Sequence, residues 1–314
     1  MPYLTTPLTV AAPSTAHAHH RLLQPLRLTG RALMLAFGLG LAACCGAQPL
    51  AVQVPSLDAP GGTAIQLPGF WFGGAADASA PARGAALLLH GCSGPYGRGG
   101  QLSARLVDYA QRLQALGLRV LVTDSLTPRG ETSLCTQKIG QRKVQQQHRR
   151  KDALGALQWL AAQPGVDARR IGLIGWSHGG SAVLTSTNLR LPDVAAAPVR
   201  PAFAVAFYPG CADERRRGYQ PSAPLLMLLG ADDDWTPPQP CQALGEESAE
   251  PRPQVVAYPG AYHGFDGTAP VRLWREVPNG VNPGQGVHLG GNPAAREAAL
   301  ARLAQFLGEV GALP

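Results

Sequence analysis

The sequence predicts an α/β fold in which a mostly parallel central sheet carries helices on both faces, and three observations predict it. From residue 85 onward short apolar runs alternate with stretches of helical periodicity, the pattern of parallel strands joined by helices. The 38 glycines and 29 prolines suit a globular chain with many tight connections. A serine flanked by glycines, in the run Gly175 to Gly180, falls at the junction between an expected strand and an expected helix. A chain of 314 residues is long enough to bury one large core, so a single domain is expected.

The elements follow in order. Residues 85–89 read as a buried strand, and Leu102, Leu106, Tyr109, Leu113 and Leu116 recur behind it at helical spacing. Residues 118–123 form the next strand. Leu154, Leu157 and Leu160 mark a helix over 152–163, stopped by Pro164-Gly165. Strands are expected at 171–174, 202–207, 224–229 and 255–258, with a helix over 181–188. A final helix spans 293–309, with Pro293 in its first turn and Leu300, Leu303, Phe306 and Leu307 on its apolar face. Residues 48–82 supply one or two leading strands, such as 63–67. Residues 267–291 show no periodicity and read as a loop that shapes the site.

The N-terminus reads as an address. His17, His19, His20, Arg21, Arg27 and Arg31 precede the apolar run 32–43 without any acidic residue, as in an export signal. The run falls short of the roughly 18 residues that span a bilayer. Cleavage is expected after Ala47 or before Cys44, since Leu41-Ala42-Ala43-Cys44 is similar to a bacterial lipoprotein box. The expected organisation is therefore a signal segment, 1–47, and one domain, 48–314. Contact with a membrane is expected only through a lipid anchor at Cys44. Removing the three arginines of the signal takes the formal charge from +7 to +4. Arg142, Lys143, Arg149, Arg150 and Lys151 flank a helix start and read as a solvated face, so no nucleic-acid partner is expected. Cys92, Cys135, Cys211 and Cys241 remain in the domain and are expected to pair in an oxidising compartment, in one of three connectivities. No Cys/His spacing suits zinc, and neither metal nor cofactor is expected.

The chemistry centres on Gly175-Trp176-Ser177-His178-Gly179-Gly180, a G-x-S-x-G pattern between strand and helix. Such a turn needs small neighbours and lifts the serine hydroxyl above the sheet edge. That hydroxyl is a poor nucleophile until a base takes its proton and a carboxylate fixes the base's tautomer. The required order is Ser, acid, His, and both partners follow strands: Asp232-Asp233-Asp234 after 224–229, and His263 after 255–258. Asp233 is favoured, while Asp232 or Asp234 suits the cap of a helix starting near Thr236. The loop His90-Gly91-Cys92-Ser93-Gly94 supplies the backbone N–H of Cys92, which with that of His178 makes a candidate oxyanion hole. Arg129, Tyr96 and Trp235 are candidate substrate-binding residues, Arg129 either for an anionic group or, equally, as a structural arginine that pairs with loop carbonyls or an acid.

These residues, with Asp124-Ser125, Pro128-Arg129-Gly130, the segment 230–237, Ala261-Tyr262-His263-Gly264-Phe265 and Asn292-Pro293-Ala294-Ala295, resemble the dienelactone hydrolase family of α/β-hydrolases from about 85 to 306. The resemblance places the family's acid on Asp233, in Gly230-x-x-Asp233-x-x-x-Pro237. It implies an α/β-hydrolase fold and a serine hydrolase acting on an ester, lactone or related small-molecule acyl substrate. The name-giving enzymes carry a cysteine nucleophile where this chain has Ser177, and they lack the His90–Gly94 loop, which points away from dienelactone itself. Competing readings are a peptidase or acyl-transfer enzyme on the same triad, and a non-catalytic envelope binding protein.

Overall fold

The computed structural model describes residues 48–74 and 81–314. The expected signal segment, 1–47, lies outside the described residues. The central sheet has eight strands: β1 (Leu50–Pro55), β2 (Gln66–Phe72), β3 (Arg83–Leu89), β4 (Arg119–Thr123), β5 (Val166–Trp176), β6 (Phe203–Phe207), β7 (Leu225–Gly230) and β8 (Gln254–Tyr258). Their order is β1-β2-β4-β3-β5-β6-β7-β8. β1 and β2 are antiparallel to their neighbours, and all pairs from β4 to β8 are parallel. The helices are α1 (Ala104–Ala115), α2 (Gln146–Ala161), α3 (His178–Thr187), α4 (Pro192–Ala195), α5 (Ala212–Arg217), α6 (Gln239–Glu247) and α7 (Pro293–Glu309).

The period of two along each strand divides the core into two layers. On one face Leu87, Leu89, Leu173 and Met227 pack against Leu154 and Leu157 of α2 and Val183 of α3. On the other, Leu88, Val120, Ile174 and Leu228 meet Leu106 and Leu113 of α1 and Leu303 and Phe306 of α7. Strands covered on both faces are apolar where they are covered, which is why β3, β4, β6, β7 and the buried half of β5, 171–176, stand out in the sequence. The partly exposed first half of β5, with Asp167, Arg169 and Arg170, does not. α7 starts as the sequence predicts, with the Asn292 side chain accepting the Ala295 N–H at 3.1 Å and Pro293 in the first turn.

Three expectations need revision. β2 lies at Gln66–Phe72 rather than 63–67, and the expected loop 267–291 contains an antiparallel pair, β9 (Arg272–Trp274) and β10 (Val287–Leu289). α2 begins six residues early, at Gln146, because the His148 Nδ1 accepts the Gln145 N–H at 3.0 Å and caps the helix start. That extra turn changes the reading of the basic run. Arg150 pairs with Asp193 at 2.8 Å, but Arg149 is fully buried rather than part of a solvated face.

The four domain cysteines form two disulfides, Cys92–Cys135 and Cys211–Cys241, separated by 43 and 30 residues. Closing a loop of that length removes chain entropy from the unfolded state worth about 4 kcal/mol at 25 °C. The double variant Cys211→Ala/Cys241→Ala is therefore expected to lose about 4 kcal/mol of unfolding free energy. Urea titration checks this, and a loss under about 1 kcal/mol would contradict it.

Candidate active site

The parallel strands deliver their following loops to one edge of the sheet, where sites assemble in open α/β folds. Ser177 lies between β5 and α3 with φ 54° and ψ −117°, a conformation that costs a non-glycine residue on the order of 1–3 kcal/mol. Two glycines make room for it. A Cβ at Gly175 would sit 2.3 Å from the Gly179 carbonyl oxygen, and one at Gly179 would sit 2.0 Å from the Leu89 oxygen. The Ser177 N–H donates to the Phe207 carbonyl at 2.9 Å, which fixes the turn against β6.

Three distant residues meet at this turn. The His263 Nε2 lies 2.8 Å from the Ser177 Oγ, and its Nδ1 lies 2.8 Å from the Asp233 Oδ2. Both Asp233 and His263 are buried. The second oxygen of Asp233 is also used: Oδ1 accepts the N–H groups of Trp235 at 2.9 Å and Thr236 at 2.8 Å. Asp233 thus caps its own turn with one oxygen and orients the imidazole with the other. The Thr236 hydroxyl, 3.0 Å from both the Asp233 Oδ2 and the Tyr208 carbonyl, has one proton to share between them. Asp232 is exposed, and Asp234 pairs with the His288 Nδ1 at 2.7 Å, so neither neighbour competes for His263. Tyr208 and Trp235 each place a ring 4.6 Å from the imidazole centroid and hold it in place.

The two candidate oxyanion donors flank Ser177. His178 is the first residue of α3, so its N–H has no carbonyl a turn earlier to bond. The Cys92 N–H has no partner among the described residues, while the Cys92 carbonyl accepts from Leu134 at 2.8 Å. The disulfide from Cys92 to Cys135 ties the same loop a second time and leaves that N–H free.

An open cleft of about 620 Å³ lies over these groups, walled in part by Trp235, Trp274, Leu289, Arg105 and Arg272. Of the three candidate substrate-binding residues, Trp235 lines the cleft. Arg129 and Tyr96 do not. The Arg129 guanidinium is buried away from the cleft, donating to Asp58 at 2.8 Å and to Asp152 at 2.8 and 2.9 Å, so its role is to pin the N-terminal strands to α2. Tyr96 packs edge-on against Phe70 at 5.9 Å and is not part of the cleft wall.

Sequence reasoning missed a buried polar group in the cleft lining. The buried Asp266 accepts from the Trp176 Nε1 at 2.9 Å and the Tyr208 hydroxyl at 2.6 Å, and Arg105 donates to that hydroxyl at 3.0 Å. This ties the serine turn to the His263 loop. The signal was present, since Trp176 lies inside the glycine-flanked motif and Asp266 only three residues after His263.

Comparisons with known proteins agree with this architecture. The family model described as the dienelactone hydrolase family matches residues 98–311. A dienelactone hydrolase-like promiscuous phosphotriesterase from metagenomic libraries superposes with a TM-score of 0.59 at 19% identity, covering 84% of this chain and 99% of that one. Apo esterase 2 of Thermogutta terrifontis gives a TM-score of 0.57 at 19% identity, covering 86% of this chain and 97% of its own. The same esterase phosphorylated by paraoxon gives 0.56 at 20% identity, covering 85% and 96%. A search of curated proteins finds no match. The strand order, the serine turn and the family match together show that the chain has the α/β-hydrolase fold and belongs to the dienelactone hydrolase family.

Proposed function

We propose that this protein hydrolyses an ester, lactone or related acyl compound through an acyl-enzyme on Ser177. The observation that carries the reading is the unbroken chain Asp233–His263–Ser177, with both contacts at 2.8 Å. Ser177 Oγ bonds to the acyl carbon as its proton passes to the His263 Nε2. The Asp233 carboxylate holds the imidazole in the tautomer that can accept that proton, and stabilises the imidazolium. The carbonyl oxygen becomes an oxyanion held by the N–H groups of Cys92 and His178. Collapse breaks the bond to the alcohol oxygen, which leaves with the proton from His263. Water then repeats the sequence on the acyl-enzyme, releasing the acid and restoring Ser177.

An activity panel of short-chain aryl esters, lactones and peptides tests the substrate class. The account expects chromophore release from the aryl esters and none from the peptides. Turnover of peptides alone would overturn it.

The two disulfides fit an oxidising, non-cytoplasmic compartment. The basic and apolar N-terminal segment supports export to the bacterial envelope, with cleavage after Ala47 or a lipid on Cys44. Mass spectrometry of the mature N-terminus checks this, and an unprocessed chain in the cell envelope would contradict it.

A further inference from the structure

Arg149 is the one buried arginine of the basic run 142–151, fully enclosed and without a carboxylate at ion-pairing distance among the described residues. A buried cation of this kind is costly unless its hydrogen bonds are well placed. Its bonds go to the two segments that carry the oxyanion donors. Nη2 donates to the His90 carbonyl at 2.8 Å, and Nη1 lies 3.1 Å from the His178 Nδ1. Arg149 does not line the cleft, so it does not touch a substrate there.

The surrounding bonds show what this grip controls. The His90 Nδ1 lies 2.7 Å from the Gly91 carbonyl and its Nε2 accepts the Ser125 N–H at 3.2 Å. In a trans peptide the carbonyl and the N–H point in opposite directions, so holding the Gly91 oxygen aims the Cys92 N–H the other way. On the second donor, Gln146 gives its side-chain N–H to the His178 carbonyl at 3.1 Å while Arg149 holds the His178 ring. Burial, then the Arg149 charge, push the His90 and His178 imidazoles well below the usual histidine value. Both rings are therefore neutral, and the His178 Nδ1 is left as an acceptor for the guanidinium.

We propose that Arg149 is a positioning residue for the oxyanion hole: its forked guanidinium locks the His90–Cys92 loop to His178 and sets the spacing of the Cys92 and His178 N–H donors. The inference rests on the serine hydrolase reading. A donor moved by an ångström costs on the order of 100-fold in rate. Lysine in place of arginine keeps the charge but presents a single point donor that cannot reach both partners in one fixed geometry.

The test compares wild type, Arg149→Met, Arg149→Lys and Arg129→Met. Arg129→Met removes a different buried arginine bonded to the same helix, and serves as the control for lost stability. Kinetics with an aryl ester and its thionoester analogue are run well below each variant's melting temperature. Arg149→Met is expected to lose about 100-fold in kcat with KM changed less than about threefold, and Arg149→Lys about 10-fold. The preference for ester over thionoester, which depends on donors placed for oxygen, is expected to narrow in both. Arg129→Met is expected to lower the melting temperature and keep kcat within about threefold. If Arg149→Met does not fold, Arg149→Lys alone carries the comparison. A wild-type kcat in Arg149→Lys, a loss confined to KM, or an equal kcat loss in Arg129→Met each overturns the inference. A wild type that turns over neither ester nor lactone overturns the hydrolase reading instead.

Discussion

Replacing Ser177 with alanine is expected to lower kcat for an aryl ester by about 10⁶ while leaving the fold intact. The change removes only the Oγ that His263 contacts at 2.8 Å, and alanine meets the φ of 54° with no more strain than serine. The oxyanion donors and the cleft remain, so a residual rate over water and a near-normal KM are expected. Steady-state kinetics on protein purified free of host esterases gives the answer. A variant keeping more than about 1% of the wild-type kcat would remove Ser177 from the mechanism.

Asp233→Asn is expected to cost about 10⁴ in kcat for a different reason. The Asp233 Oδ1 already accepts two backbone N–H groups, from Trp235 and Thr236. An asparagine must keep its oxygen there and turn its amide toward the His263 Nδ1. The imidazole then carries its proton on Nε2, facing Ser177, and cannot accept the serine's proton. Because the turn keeps its caps, the melting temperature is expected to change little. Asp234→Asn, whose partner is the partly exposed His288, serves as the comparison and is expected to stay within about threefold of wild type. Equal losses in the two variants would contradict the assignment of the acid.

The legible parts of the fold are those where one physical constraint acts locally. Strands β3, β4, β6 and β7 are buried on both faces and read as apolar runs, as does the buried half of β5, 171–176. The first half of β5 carries Asp167, Arg169 and Arg170 and is partly exposed. The Ser177 turn was legible because backbone crowding admits only glycine at 175 and 179. His263 followed from chain order at a strand end, which also narrowed the acid to 232–234, and the family resemblance selected Asp233 among them. The unread parts depend on partners far along the chain. β1 is an edge strand with mixed exposure, and β2 contains Pro68 and Gly69, so neither shows a clean period. β9 and β10 are three residues each, too short for any alternation to register. Arg129 stayed open between an anion site and a structural ion pair because its partner Asp58 lies 71 residues away. Arg149 looked solvated because charge in a sequence says nothing about which helix face will be covered, and α2 starts a turn and a half before its apolar period does.

The central claim is tested most directly by treating the folded protein with a fluorophosphonate and mapping the adduct by peptide mass spectrometry. The account predicts one equivalent of label, on Ser177, with loss of esterase activity in proportion and no label on Ser177→Ala. Folded protein that stays unlabelled at Ser177, or that keeps its activity after Ser177 is fully labelled, would contradict it.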